Sequence, residues 1–302
     1  MATTLDTPTT PTRPTAGVQA YTARRSTRRT SKIVSQVVLY VLATVMAVIF
    51  LFPFYLLIRN ALLTQAQISS LEWSWWPTEA QWVNFKTLFN DYPMGTGIRN
   101  SAIIAVVNLV FQTLFASMAA YGLARMPVRG KDLVFYIILL TLMIPSAVTF
   151  VPTYVVISWL GWINSIQGIV VPGLFSAFAV FIFRQFYLDF PKELEDAGRL
   201  DGLSYFGVYR ALVVPNSWGV MAAIGALSFI NSWNAFLWPL VIGQSPDSYT
   251  IQIVLSTLIT AQVINLPVMF MGAIVAITPL VLIFLILQRY IVQGVTMSGI
   301  KG

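Results

Sequence analysis

The chain has 302 residues, of which 57% are hydrophobic and only 10% are charged, and its mean hydropathy is +0.75. Soluble domains carry about 25% charged residues, so this composition excludes a water-soluble globular protein and predicts an integral membrane protein. The absence of both Cys and His excludes disulfides, Cys/His or Ser-His-Asp catalytic sets and the usual zinc sites. We therefore predict neither catalytic residues nor a metal site.

Residues 1–32 form a basic N-terminal tail. The tail is rich in Thr, Pro and Ser, and it holds six of the 18 Lys and Arg residues with Asp6 as its single acidic residue. A net charge of +7 is easily taken for nucleic-acid binding, but a basic segment beside an apolar run is typical of contact with an anionic membrane leaflet. The composition predicts a disordered cytoplasmic tail that contacts lipid and binds no nucleic acid.

Residues 33–302 contain about six segments long enough to cross a bilayer, for which a helix needs about 20 apolar residues. The windows free of Asp, Glu, Lys and Arg are 33–58, 100–124, 133–183 with room for two spans, 211–244 and 268–288. The segment Ser248 to Asn265 is apolar but rich in Ser, Thr, Gln and Asn, and we predict an interfacial external helix there rather than a seventh span. The predicted fold class is an all-α integral membrane protein.

The distribution of basic residues predicts the orientation of the spans. Six spans place both termini on one side, and 15 of the 18 Lys and Arg residues lie on that side, which the positive-inside rule assigns to the cytoplasm. The loop of residues 60–99 is then external. Its Trp73, Trp75, Trp76 and Trp82 could stack on sugar rings, but Trp is also enriched where a membrane meets water, and we favour this second interpretation.

The loop between the fourth and fifth predicted spans, residues 185–215, has the pattern of a short helix. Asp189 precedes Pro191, which favours a helix start with the carboxylate as its cap, and Gly202 favours a helix end. A narrow apolar ridge lies between them, at Leu194, Ala197 and Leu200. The pattern predicts a small charged helix that seats in a groove of a soluble partner.

This loop resembles the "EAA" loop of ATP-binding cassette (ABC) importer permeases, whose pattern is E-A-A-x3-G-x9-I-x-L-P. The matching residues are Asp196-Ala197-Gly198, then Gly202, then Leu212-Val213-Val214-Pro215. Further blocks are similar to the carbohydrate branch of the family, the maltose-type importers: Ala120 to Arg125, Met143-Ile144-Pro145, Asn231 to Leu240 and Gln288 to Gly302. Asp196 and Gly198 depart from the family's Glu and second Ala.

The resemblance implies a permease subunit in the bacterial cytoplasmic membrane that imports a sugar and is not itself an enzyme. It implies a second permease as partner in a heterodimer, two nucleotide-binding ATPase subunits and an extracytoplasmic solute-binding protein. No phosphate-binding loop surrounds Gly130-Lys131, so we expect ATP and Mg on the partner subunits and no cofactor on this chain. The residues expected to dock the ATPase through a coupling helix are Glu193, Asp196, Ala197, Gly198, Asp201, Gly202 and Leu203.

Polar residues within spans are candidates for the substrate path because a polar group left in lipid is costly. The candidates are Asn108, Gln112, Ser228, Asn231 and Asn234, with hydrogen bonding between helices as the alternative. The predicted spans contain no charged residue, which favours a neutral sugar or oligosaccharide as substrate. Two other functions stay open from the residues alone: a proton-coupled secondary carrier and a membrane-embedded glycan or lipid transferase.

Overall fold

The computed structural model describes the backbone of residues 16–70, 72–260 and 264–299, and the side chains of residues 35–70, 72–259 and 264–288. Regular structure in these ranges is entirely helical, as predicted. Single turns of 3₁₀ helix lie at Val171–Gly173 and Pro246–Ser248, and a π-helical turn at Tyr209–Val213. The α-helices are α1 Ala16–Ala61, α2 Gln65–Ser69, α3 Val83–Asp91, α4 Met94–Arg125, α5 Lys131–Thr141, α6 Ser146–Trp159, α7 Ile166–Val170, α8 Ala177–Leu188, α9 Lys192–Leu200, α10 Tyr205–Val208, α11 Val214–Asn216, α12 Trp218–Trp233, α13 Leu237–Ile242, α14 Ile251–Thr260 and α15 Leu266–Gly299.

Four helical stretches in the described ranges are long and apolar enough to cross a membrane: Ser35–Ala61, Met94–Arg125, Ile166–Leu188 and Leu266–Gln288. Two further pairs of helical stretches pass the same test together but are bent, at 96° between α5 and α6 and at 79° between Tyr205–Asn216 and α12. Counting each bent pair as one span gives the predicted six. The chain is therefore an all-α membrane protein, with four to six candidate spans among the residues that the structure describes.

Each bend has a local cause in the sequence. Pro145 lies at the start of α6 with extended backbone angles, and its missing amide hydrogen prevents α5 from continuing into α6. At the second bend, the buried Ser217 hydroxyl donates to the Val213 carbonyl at 2.6 Å. A Ser side chain that bonds to the carbonyl four residues back bends a helix, and Pro215 removes a further amide donor nearby.

The chain divides by its contacts into two units, Met1–Leu56 and Leu57–Gly302. In the first unit, α1 begins at Ala16, so the helix extends into the predicted tail of residues 1–32; residues 1–15 lie outside the described residues. The sequence from Ala16 to Lys32 lacks Pro, and nothing stops the helix from propagating out of the span. The large apolar side chains from Val37 to Phe54 are exposed, which suits contact with lipid.

In the second unit, α4 is the central helix and packs against both α8 and α12. Its buried positions include several of the smallest residues, which allow neighbouring helix backbones to approach closely, as is usual in membranes. These positions are Gly97, Ala105, Ala116, Ala120 and Ala124. The buried Trp233 of α12 donates its indole N–H to the Ala276 carbonyl at 2.9 Å, which ties α12 to α15.

Helix α14 occupies the segment predicted to lie at the membrane interface. Ten residues rise about 15 Å, which is too short for a seventh span. Its Ile251, Ile253, Val254 and Leu258 are buried, and α14 packs against α4 and α15. The segment is thus helical and too short for a span, and its apolar face is covered by protein; its place at the external membrane interface stays a prediction.

Polar side chains hold the loops around α7 and α14. Asn164 adopts the left-handed region with φ 58°, and its Oδ1 accepts hydrogen bonds from the amides of Gln244 at 3.1 Å and Ser245 at 3.0 Å. Asn100 donates to the carbonyls of Asp247 at 2.8 Å and Tyr249 at 3.0 Å. Backbone groups near a bilayer need partners within the protein, and these amide side chains supply them.

Candidate coupling site and substrate path

The predicted short helix is present as α9, which runs from Lys192 to Leu200. Glu193 and Glu195 lie in its first turn and Arg199 in its last, the arrangement that the helix dipole favours. The predicted Asp189 cap was wrong: α9 begins after Pro191 without a side-chain cap, and Asp189 instead ends α8. The Pro191 turn sets the start of α9 by backbone geometry alone.

Gly202 ends the helix, as the sequence predicted. Its φ of 85° lies in the left-handed region. The amide of Leu203 donates to the Gly198 carbonyl at 3.0 Å, and the amide of Gly202 to the Arg199 carbonyl at 3.0 Å. These two bonds form a Schellman motif, in which Gly has no conformational penalty.

Helix α9 has one face turned to the rest of the chain and one face left open. Glu195 and Gly198 are its buried residues. The predicted apolar ridge lies on the open face, where Ala197 is exposed, Leu194 is 48% exposed and Leu200 is 90% exposed. Leu200 is thus exposed on a helix that is held in place from its other face.

The inner face of α9 packs closely because residue 198 is Gly. A Cβ atom at Gly198 would lie 2.7 Å from Leu212 Cδ1, 3.4 Å from Leu203 Cδ1 and 3.5 Å from Val208 Cγ2. A Gly within a helix lowers the stability of the helix relative to Ala. The structure adds a second effect, which is that the missing side chain lets α9 approach the segment that leads into α12.

An ion pair holds the same inner face. Arg125 Nε, at the end of α4, lies 3.1 Å from Glu195 Oε1, and the two side chains are only 6% and 11% exposed. Burial raises the pKa of the Glu195 carboxyl above its ordinary value, while the Arg125 guanidinium lowers it and Asp196 raises it further. Arg125 therefore provides the main favourable charge for a carboxylate that has lost its water.

The contacts of Arg125 and Glu195 were not predicted from the sequence. Glu195 stood beside the matched motif as one of several acidic residues, and Arg125 as part of a block after the second span. The two residues are 70 positions apart in the chain. Arg125 directly follows a long uncharged run, and a buried role could have been suspected from that position.

The seven predicted docking residues differ in exposure. Glu193, Asp196, Ala197, Asp201, Gly202 and Leu203 are exposed, whereas Gly198 is buried. Six of the seven are therefore accessible to another protein, and Gly198 allows the close packing of the inner face of α9.

The five residues predicted for the substrate path differ in burial and in hydrogen-bond partners. Gln112 donates its Nε2–H to the Gly173 carbonyl at 2.8 Å, which is a bond between helices. Asn108 and Ser228 are buried, and in the described part of the chain Asn108 Oδ1 and Ser228 Oγ have no hydrogen-bond partner. Asn231 and Asn234 are exposed, and Asn234 Oδ1 accepts from Gln252 Nε2 at 3.3 Å.

An open groove of ≈ 400 Å³ lies along α4 and α7. Its wall is mainly apolar, and Gln167 is the polar side chain that lines it. The lining includes Phe111 and Phe115, whose ring centroids are 5.7 Å apart. None of the five predicted path residues lines this groove.

The sequence pattern of the family described as "Binding-protein-dependent transport system inner membrane component" matches residues 112–297. The chain belongs to this family. The match includes α9, Gly202 and the segment that follows them. The chain is thus a multi-pass inner-membrane permease subunit of an ABC importer, and it is a transport subunit rather than an enzyme.

Named relatives are similar over most of the permease. The arabinooligosaccharides transport system permease protein AraQ of Halalkalibacterium halodurans is 36% identical over 220 residues, 72% of this chain and 79% of the relative. The lactose transport system permease protein LacG of Rhizobium radiobacter is 32% identical, over 84% of this chain and 93% of the relative. The sn-glycerol-3-phosphate transport system permease protein UgpE of Yersinia enterocolitica is 30% identical, over 86% of this chain and 95% of the relative.

A solved structure shares the fold of the permease. It is a crystal structure of a bacterial ABC transporter involved in the import of the acidic polysaccharide alginate, and a chain of it matches with a TM-score of 0.75. The match covers 86% of this chain and 98% of that chain at 20% sequence identity. The likeness supports the arrangement of the spans and does not extend to the cargo.

We predict that Gly198→Val destabilises the permease, because the new side chain overlaps Leu212 on the inner face of α9. Overpacking of this kind costs about 1–3 kcal/mol. Thermal unfolding of the purified permease measures the effect. The matched control is Ala197→Val, which places a Val side chain on the open face of the same helix. Equal unfolding temperatures for the two variants would contradict the close packing of α9.

Proposed function

We propose that the permease imports a neutral sugar or oligosaccharide into the cytoplasm and that ATP hydrolysis on partner subunits drives the import through α9. The observation that carries this proposal is the form of α9: a short charged helix whose inner face is fixed to the membrane helices and whose open face ends in the 90%-exposed Leu200. A helix held in this way can transmit the movement of a partner to the spans.

The ATPase docking surface in this proposal consists of the exposed residues of α9 and its closing turn. Glu193, Asp196 and Asp201 supply negative charge around the apolar ridge, and Leu203 is 37% exposed beside them. Such a patch fits a groove with an apolar floor and a basic rim. Gly198 contributes by letting α9 lie close to Leu212.

The working importer in this proposal has several further subunits. A second permease completes the pathway, two nucleotide-binding subunits bind ATP and Mg, and an external solute-binding protein delivers the cargo. Family membership supports this assembly, since members are inner-membrane components of binding-protein-dependent systems. Movement of the nucleotide-binding subunits would shift the coupling helices of the two permeases and switch the path between its inward and outward openings.

The proposed cargo class rests on composition and on the relatives. The predicted span windows contain no acidic or basic residue that could pair with a charged cargo, and two relatives are named for arabinooligosaccharides and lactose. Others are named for sn-glycerol-3-phosphate, so charge is the property to test. Competition of neutral and acidic saccharides for uptake by the assembled importer tests the class, and preferential uptake of an acidic saccharide would contradict it.

We predict that α9 and both chain termini face the cytoplasm, as the 15 basic residues on that side indicate. The chain contains no Cys, so single thiols can be introduced without background. In intact cells, an impermeant thiol reagent should label Glu79→Cys in the external loop and leave Arg129→Cys unlabelled until the membrane is opened. The reverse pattern would contradict this orientation.

We predict that Gly202→Val uncouples ATP hydrolysis from import. The left-handed φ of Gly202 costs a β-branched residue about 1–2 kcal/mol or more, and relief of this strain displaces the end of α9. No atom lies within 4 Å of a Cβ at this position, so the effect comes from the backbone and not from a clash. ATP hydrolysis and sugar uptake, measured together in proteoliposomes, give the coupling.

The matched control for Gly202→Val is Gly130→Val. Gly130 lies between α4 and α5, has φ 78° and also has no atom within 4 Å of a Cβ. It carries the same backbone strain away from α9, and we expect its import per ATP to stay near that of the unaltered protein. Normal coupling in Gly202→Val, or equal loss in both variants, would contradict the role of α9.

A further inference from the structure

The guanidinium of Arg125 contacts three separate elements at one end of the membrane helices. Arg125 is the last residue of α4. Its Nε–H donates to the Tyr187 carbonyl of α8 at 2.8 Å, and its Nη2–H donates to the Phe190 carbonyl in the link between α8 and α9. The carboxylate of Glu195, in α9, lies 3.1 Å from Nε. One side chain thus connects α4, α8 and α9.

The chemistry of these contacts suits Arg rather than another cation. The last carbonyls of a helix lack partners within the helix and carry partial negative charge, and α8 ends at Leu188, between Tyr187 and Phe190. A planar guanidinium presents five N–H donors in fixed directions, whereas the Lys ammonium is a compact charge on a flexible stem. Arg125 can therefore satisfy two carbonyls and face a carboxylate at once.

Glu195 is the acidic residue of α9 that faces inward. Its side chain is 11% exposed, while Glu193 and Asp196 on the same helix are exposed. The Nε–H of Arg125 points to the Tyr187 carbonyl, and Glu195 Oε1 receives no hydrogen bond from the described residues. The contact between Glu195 and Arg125 is thus one of charge, in a place where water does not weaken it.

A second connection lies about two turns before Arg125 in α4. The buried Ser117 hydroxyl lies 2.6 Å from the Tyr187 hydroxyl and 2.9 Å from the Tyr209 hydroxyl. Tyr209 belongs to the π-helical turn that follows α10. Ser117 and Arg125 are separated by about 12 Å along the helix, so α4 is fixed to α8 and to both sides of α9 at two levels.

We propose that Arg125 is a positioning residue that fixes the coupling helix α9 to the ends of α4 and α8, so that these three elements move as one body. Glu195 is its partner on α9. The consequence for transport rests on the proposed function: displacement of α9 by the ATPase reaches the spans through this pair. Without the pair, α9 keeps its docking face but moves independently of the spans.

The test uses the assembled importer in proteoliposomes with three variants: Glu195→Gln, Arg125→Gln and Arg125→Lys. Glu195→Gln keeps the size of the side chain and removes its charge, so we expect it to fold. It therefore still tests the pair if Arg125→Gln does not assemble. Arg129→Gln is the control, since Arg129 is exposed and differs from Arg125 in having no ion pair among those found in the described residues. ATP hydrolysed per sugar imported is the first readout.

The second readout reports position directly. Spin labels at Val128→Cys and Lys192→Cys, with cysteine-free partner subunits, give the distance between the turn that follows α4 and the start of α9 by pulsed electron–electron double resonance. We expect one narrow distribution in the unaltered protein and in Arg129→Gln, with and without ATP. We expect a broad distribution and a several-fold higher ATP cost per sugar in Glu195→Gln and Arg125→Gln, and intermediate values in Arg125→Lys.

Either of two results would overturn the inference: an unchanged distance distribution in both Gln variants, or a broad distribution with an unchanged ratio of ATP to sugar. The spin-label distance does not depend on what α9 docks to. If Gly202→Val fails to uncouple the importer, the proposed function fails, while the distance still tests whether Arg125 positions α9.

Discussion

The contact between Arg125 and Glu195, together with the packing of Gly198 on Leu212, determines where α9 lies. Helices shorter than about 12–15 residues are marginal in water on their own, and α9 has nine. Its position and shape therefore depend on its inner face. Leu194, Ala197 and Leu200 stay open on the other side. In the proposed function, anchoring and docking are thus separated on two faces of one short helix.

The rest of the second unit follows from the need to satisfy polar groups near lipid. Small residues along α4 let α8 and α12 approach it closely, and amide side chains such as Asn100 and Asn164 satisfy loop carbonyls and amides. Where a helix must bend, the bend is accompanied by a side chain that takes over a freed group, as Ser217 does for the Val213 carbonyl. The loop that carries α9 connects directly to this bend, so a shift of α9 and a change of the bend into α12 are geometrically linked.

The sequence was sufficient for the features that depend on local composition. Uncharged runs of sufficient length predicted the spans, and Gly202 predicted the end of α9 because only its backbone conformation was at issue. The sequence was insufficient where burial decides. Asp189 has a favourable spacing for a cap, but the chain leaves α8 in a way that places this residue at the end of α8. The polar residues of α14 likewise did not indicate that its Ile251, Val254 and Leu258 lie in a core shared with α4 and α15.

Contacts between residues that are distant in the chain also could not be predicted from the sequence. Arg125 and Glu195 become partners only when α4 and α9 are brought together, and no local pattern distinguishes Glu195 from its acidic neighbours. For the substrate path, a polar residue in a span is equally suited to a sugar or to another helix. In the structure, Gln112 bonds to the backbone of Gly173, whereas Asn231 and Asn234 are exposed.

The most direct test of the account is whether the open face of α9 contacts the ATPase. A photo-crosslinking amino acid in place of Leu200, in the importer assembled with its own partner subunits, reports the neighbour of the most exposed residue of the ridge. We predict a crosslink to the nucleotide-binding subunit whose yield changes with ATP, and none from the same group at Glu79 in the external loop. A crosslink from Leu200 to lipid or to the second permease alone, with no nucleotide-binding subunit captured, would contradict it.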